Sequence, residues 1–157
     1  MADLDWVIAT ASEQDAGEIM TVQRAAYVSE ALLYDTTRLS ALSEPIEQIR
    51  AAAAAGEVLV ARSGSRIIGA VRGVREADEV HIGRLVVAPD LHGRGIGAAL
   101  LRAVEAHRSA GVRRFRLFTG DRSVANLGLY RKIGYVETHR EPVTETLSLV
   151  HMAKPAE

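Results

Sequence analysis

The chain contains no cysteine. That excludes disulfides, thiolate catalysis and metal sites built on sulfur, and it fits a reducing compartment. An excess of either charge is also missing: 19 Lys and Arg face 20 Asp and Glu, for a net charge of -1. Overall electrostatics gives no reason to expect nucleic acid or an anionic membrane as partner. No basic stretch interleaved with aromatics suggests RNA. No apolar run approaches the roughly 20 residues a spanning helix needs. The opening "MADLDWVIAT" has no basic region and no long apolar stretch, so no signal peptide is expected. His107, His139 and His151 are not spaced as a metal site. Without Cys or a His–carboxylate cluster, zinc is not expected either. These absences lead us to expect a soluble, cytoplasmic protein with no metal, nucleic-acid or membrane partner.

What is present suffices for a core. Apolar residues make up 48% of a 157-residue chain, which suits one domain over residues 1–157. "DWVIAT" predicts a first strand over 6–10. Ser12 and Asp15 resemble a capping box ahead of a helix over 16–31. "IEQIRAAAAAG" reads as a helix stopped by Gly56, and "SGS" at 63–65 as a hairpin turn. "EVHIGRLVV" is a strand. Ile96, Leu100, Leu101 and Val104 mark an amphipathic helix. "RRFRLFTG" is a further strand, and "SVANLGLYRKIG" a short helix capped by Ser123 and stopped by Gly134. Two strands around "PVTE" follow, with a frayed tail "PAE". The order β-α-α-β-β-β-α-β-α-β-β predicts a mixed α/β domain.

The stretch "LVVAPDLHGRGIGAALL" holds Gly93, Gly95 and Gly97 between a strand and a helix. A helix start leaves backbone N–H groups unpaired and carries roughly half a positive charge. Glycine lets an anion approach that backbone, and Arg94 adds a cation, so the loop reads as a phosphate site. The alternative is that the glycines only let the helix pack closely on a sheet. A P-loop is excluded because no Lys-Ser/Thr follows the glycines. Gly93, Gly95 and Ala98 do match a dinucleotide fingerprint, with Asp121 as the ribose acid. However, "APDLH" separates the strand from the first Gly, and the chain is too short for an added substrate domain.

"LVVAPDLHGRGIGAALL" followed by "FTGDRSVANLGLYRKIGY" resembles the acetyl-CoA-binding core of the GNAT family of N-acetyltransferases. The likeness covers roughly 79–136. Its most specific part is the spacing N-x-x-x-Y-x-K-x-G-aromatic from Asn126 to Tyr135. One position departs: His92 stands where the family usually has Gln or Arg. The resemblance implies an α/β (α+β) fold, with one mixed, mostly antiparallel central sheet flanked by helices. It implies acetyl-CoA as co-substrate and no metal. The pyrophosphate would lie over His92, Gly93, Arg94, Gly95, Ile96, Gly97 and Ala98. The pantetheine arm would run along Leu85, Val86 and Val87, with Asn126 touching it or the ribose side.

The implied reaction is attack of a neutral primary amine on a thioester in a ternary complex. The Val87 N–H would meet the oxyanion. Tyr130 would protonate the leaving thiolate; otherwise it is a half-buried aromatic packing on the sheet. The family's strand carboxylate is absent, since the matching positions are Gly83 and Arg84. His81, Glu79 or water remain as the base, and strand alternation puts His81 on one face with Gly83, Leu85 and Val87. Gly83 is read as a bulge or a close backbone approach. The acceptor, a small-molecule or peptide amine, would enter past Tyr27, Tyr34, Asp35, Arg38, Glu44 and Glu141. Family precedent makes a homodimer an expectation. A catalytically silent acyl-CoA sensor of the same fold is the alternative function.

Overall fold

The computed structural model describes residues 4–156. Residues 1–3 and 157, which carry part of the leader reading and the end of "PAE", lie outside them. The strands are β1 (Val7–Thr10), β2 (Val58–Ser63), β3 (Arg66–Glu76), β4 (Glu79–Val87), β5 (Arg114–Gly120), β6 (Val136–Pro142) and β7 (Ser148–Pro155). The helices are α1 (Ala16–Leu33), α2 (Ser40–Ser43), α3 (Ile46–Ala54), α4 (Ile96–His107) and α5 (Val124–Ile133). The seven strands form one sheet in the order β1-β2-β3-β4-β5-β7-β6. Every neighbouring pair is antiparallel except β4 with β5. This matches the mostly antiparallel sheet implied above. A dinucleotide fold needs a parallel sheet, so that rival reading falls.

Helix α4 packs on β3 and β4 through Ile96, Leu100, Leu101 and Val104, all buried. It can approach closely because β3 offers no side chain at Gly73, where a Cβ would stand 2.7 Å from Val104 Cγ2. Helix α1 contributes Ile19 and Val22 to the same core from the other face. No helix among the described residues is long and apolar enough to cross a membrane.

The parting of β4 from β5 defines the architecture. The two pair only over Glu79–His81 with Arg114–Arg116. From Ile82 onward β4 keeps β3 on one side and loses β5 on the other. A bulge accompanies the split. Arg72 pairs with Gly83 and Ala70 with Val86, so Arg84 and Leu85 together oppose Val71. Arg84 adopts φ 50°. A bulge bends its strand and sharpens the twist, which swings β4 away from β5.

The bulge sits one residue beyond Gly83, and a Cβ on Gly83 would meet nothing within 4 Å. The bulge also overturns simple alternation. Gly73 and Gly69 both point at α4, and their partners are Ile82 and Val87. Ile82 and Val87 therefore share a face although five residues apart, and His81 lies on the face opposite Val87.

Three local expectations also change. α1 continues two residues past 31, to Leu33. Ser123 makes no side-chain cap on α5. The tail is paired rather than frayed, since Pro155 belongs to β7 and the Ala156 N–H donates to the Arg113 carbonyl at 2.9 Å.

The end of α1 is tied to the β5–α5 turn through buried Tyr34. Its hydroxyl accepts from the Arg122 N–H at 2.9 Å. It in turn donates to Ser123 Oγ at 2.7 Å, because Ser123 donates its own hydrogen to Glu30 Oε2, also at 2.7 Å. Gly120 lies directly under the Tyr34 phenol, where a Cβ would overlap the ring. Gly120→Ala is expected to cost roughly 1–3 kcal/mol of stability by overpacking, read as a lower midpoint in chemical denaturation.

Candidate active site

The glycine loop begins where β4 ends. The Ala88 N–H donates to the Ile68 carbonyl at 2.8 Å, which fixes the strand's last rung. Pro89–Leu91 form one 3₁₀ turn. Gly93 and Gly95 follow with φ 80° and 81°, a left-handed backbone that glycine adopts without strain. A Cβ on either would meet nothing within 4 Å. Helix packing therefore does not account for these two glycines. Gly97 is different: a Cβ there would make ordinary 3.7 Å contacts with Leu129 Cδ2 and Val87 Cγ2. It points into the space shared by α4, α5 and the end of β4.

The first N–H to Gly95 is that of Ala99, donating to the Gly95 carbonyl at 3.1 Å. The N–H groups of Ile96, Gly97 and Ala98 precede it and have no intrahelical acceptor. Arg94 is exposed and makes no ion pair among the described residues. His92 turns back on the strand, with Nε2 3.2 Å from the Val87 carbonyl. A carbonyl only accepts, so Nε2 carries the hydrogen. His92 thus pins the loop with its side chain.

Register shows which groups line the gap. Ala88 bonds Ile68 and Val86 pairs with Ala70, so both turn their backbone toward β3. Val87, between them, turns its N–H and C=O toward the space β5 has left. Val86 is buried, with its polar groups committed to β3.

Helix α5 closes the gap from above, since Leu129 and Val87 both reach the Gly97 position. Asn126 Nδ2 lies 3.4 Å from Thr119 Oγ1 on β5. Tyr130 is 6% exposed, and its hydroxyl has no hydrogen-bond partner among the described residues. Burial, reinforced by Tyr27 and Glu30, pushes the Tyr130 phenol well above the ordinary tyrosine range. It stays protonated at any physiological pH and so keeps a proton to donate.

His81 stands at the last rung before the strands part, opposite Arg116. It meets the Phe118 ring edge-on at 5.4 Å. Burial and the Arg116 charge pull its pKa below 6.5, so it is neutral at pH 7. It opens on a hollow of about 180 Å³ lined with Phe118, Thr138, His139 and His151. Tyr130 and Val87 are not part of that lining, so the structure does not unite His81 with them. Glu79 is held by Arg114 at 2.7 Å and Arg116 at 3.1 Å. No group of three His, Asp or Glu among the described residues could hold a metal.

The expected acceptor wall divides. Asp35 and Arg38 are exposed, and Glu141 accepts from His151 at 2.9 Å. Tyr34 is structural, as described. Glu44 is buried beneath the bulge. Arg72 grips it with two bonds, at 2.8 and 3.0 Å, and Gln23 Nε2 adds a third at 3.1 Å. Burial alone would raise the Glu44 pKa, but the Arg72 and Gln23 bonds outweigh it and hold the value down to about 2.

The sign of the linkage follows. Glu44 contributes stability above its unfolded pKa, near 4.5, and that contribution is lost as pH falls toward about 2. Glu44→Ala is expected to cost roughly 3–5 kcal/mol, because two guanidiniums lose their partner. Denaturation at pH 7 and pH 3 checks both statements: the gap between wild type and variant should narrow in acid.

Sequence reading missed Glu30 and Arg84. Tyr27, Glu30 and Tyr34 recur at helical spacing, but the helix predicted from sequence stops at residue 31, short of Tyr34. Arg84 enters the sequence reading only as a position where the strand carboxylate is absent.

The family model described as "Acetyltransferase (GNAT) domain" matches residues 8–156. UPF0157 protein YqkA of Bacillus subtilis (strain 168) is 30% identical over 141 residues, covering 87% of this chain and 40% of that protein. The chain thus spans about two fifths of that relative's length. Among solved structures, yncA of Salmonella typhimurium, with its cofactor acetyl-CoA, superposes with TM-score 0.77 at 19% identity, over 97% of this chain and 94% of that one. The paia N-acetyltransferase of Thermoplasma acidophilum, in complex with coenzyme A, gives TM-score 0.68 at 21% identity, over 96% and 99%. The ribosomal-protein-S18-alanine N-acetyltransferase of Escherichia coli gives 0.73 at 17%, over 97% and 94%. With a family match spanning nearly all of it, this chain belongs to the GNAT acetyltransferase family.

Proposed function

We propose that the chain is an acetyl-CoA-dependent N-acetyltransferase that acts on a primary amine by direct attack, with both substrates bound together. The open gap between β4 and β5 carries this reading, since a bare helix N-terminus waits at its mouth. The fit can be judged from the chain itself. Gly93 and Gly95 leave space that no protein atom fills, and three N–H groups at the start of α4 lack acceptors. Anionic pyrophosphate suits that cradle, and an extended pantetheine arm suits the free edge of β4 at Leu85 and Val87. When bound, acetyl-CoA supplies the activated acetyl group.

The chain's own residues then divide the work. The Val87 N–H points into the gap and can stabilise charge developing on the carbonyl oxygen. Tyr130, protonated and without a partner, donates to the departing sulfur. Asn126, tethered to Thr119, borders the arm. His81 opens on a hollow that Tyr130 and Val87 do not line, so we assign the amine's proton to water in the gap rather than to His81. The reading also includes one domain, a cytoplasmic location, a small-molecule or peptide amine as acceptor, a homodimer, and no nucleic-acid or membrane partner.

One observation favours the silent-sensor alternative: no carboxylate stands on β4 beyond Glu79. Calorimetric titration with acetyl-CoA, followed by a thiol-release screen against amines, separates the two. Saturable binding with thiol release supports the enzyme. Tight binding with no release for any amine supports the sensor. No binding removes both.

A further inference from the structure

We propose that Arg84 binds the carboxylate of the acceptor, and that the acceptor is a free α-amino acid. This rests on the acetyltransferase reading for its reaction but on the chain's own charges for its chemistry. Two guanidiniums, Arg72 and Arg84, converge on the single carboxylate of Glu44. The Glu44 oxygen nearest Arg84, Oε1, already accepts from Arg72 and Gln23, and Oε2 accepts from Arg72. Arg84 reaches it only through Nε at 3.4 Å, without hydrogen-bond geometry. Its other polar neighbours are Ser40 Oγ, 3.3 Å from Nη1, and the Tyr27 hydroxyl. The Arg84 side chain is 25% exposed. A guanidinium so withdrawn from water, with five donors, hydroxyl neighbours at Ser40 and Tyr27 and no bonded carboxylate, is under-satisfied. A carboxylate accepting in fork geometry is the group that completes it.

The position of Arg84 agrees. It sits in the bulge, on the unpaired edge of β4 between His81 and Val87. Its left-handed φ of 50° is strained for a non-glycine residue, and such outliers cluster where a side chain is put to use. Tyr27 lies beside it on α1. Glu30, three residues further along α1, also acts on Tyr27, lies near Tyr130 and has one oxygen occupied by Ser123. A positive and a negative group thus both border Tyr27, and the negative one also acts on the proposed acid. A zwitterion fits this arrangement, with its ammonium toward Glu30 and Tyr130 and its carboxylate on Arg84. A plain alkylamine leaves Arg84 unmet.

The test offers the twenty proteinogenic L-amino acids and their carboxamides to the intact protein. One readout is thiol release with acetyl-CoA; the other is the Arg84 Nε–H resonance in the absence of acetyl-CoA. At least one acid should shift that resonance while its amide does not. Its kcat/KM should exceed the amide's by about 10- to 100-fold, the worth of a charged hydrogen-bond pair. Arg84→Gln should bring that ratio near one, mainly through KM, and Arg84→Lys should keep part of it. Amides matching acids in both readouts overturn the proposal, as does a ratio unchanged in Arg84→Gln. An acid that shifts Arg84 selectively but releases no thiol sustains the carboxylate site and rejects the acetyl-transfer reading.

Discussion

Tyr130→Phe is expected to bind acetyl-CoA as the wild type does and to release thiol about 100- to 1000-fold more slowly. The size is that of losing a positioned general acid. The substitution is clean because the Tyr130 hydroxyl makes no hydrogen bond to the protein among the described residues, so its removal leaves no orphaned partner. Stability should stay within about 0.5 kcal/mol of the wild type or rise slightly. The tilted contact with Tyr135, at 6.1 Å between ring centroids, is kept by Phe. Steady-state kinetics beside a thermal melt measures both halves. A rate within threefold of wild type would reduce Tyr130 to a packing aromatic and leave the thiolate to depart unaided.

Gly97→Ala should separate ligand from packing at the loop. The position has an ordinary helical backbone, and the added methyl meets only 3.7 Å contacts. Alanine is favoured over glycine in a helix by up to about 1 kcal/mol, so the folded protein should be unchanged or more stable. The methyl nevertheless points at the mouth of the gap, between Leu129 and Val87. Acetyl-CoA affinity is expected to fall tenfold or more, the effect of forcing a ligand out of hydrogen-bond distance from the helix N–H groups. Gly95→Ala gives a less direct answer, because φ 81° adds backbone strain to any ligand effect. Higher stability with weaker binding is the result that places the pyrophosphate on α4. Unchanged binding would move it elsewhere.

The bulged centre of the sheet was the part least legible in the sequence. Alternation puts His81 and Val87 on one face, and it fails because Arg84 and Leu85 share one opposing residue. Nothing in "HIGRLVV" announces this, since a bulge depends on how the neighbouring strand registers. Gly83 drew attention as the residue suited to irregular backbone, yet Arg84 carries the left-handed turn. A cluster held by side-chain charges fixes that geometry, and its members, at positions 23, 44, 72 and 84, are scattered along the chain. The acceptor wall was misread for the same reason. Glu44 and Tyr34 have polar ends that a sequence assigns to solvent, but Arg72 and Ser123 bury them.

The sequence by itself determined the elements and the loop. Their signals are local: hydrophobic period, a glycine just past α3 and α5, and glycines where the backbone must turn left-handed within a few residues. Asn126, Tyr130, Lys132, Gly134 and Tyr135 lie within one short helix and its exit, so the motif they form could be read directly. Tertiary structure alone decided where β4 leaves β5, which way Val87 presents its N–H, and that His81 opens on a different hollow from Tyr130. It also decided that one carboxylate would answer two arginines. These outcomes depend on pairing between residues far apart in the chain, where register and buried charge, rather than local preference, set the lowest free energy.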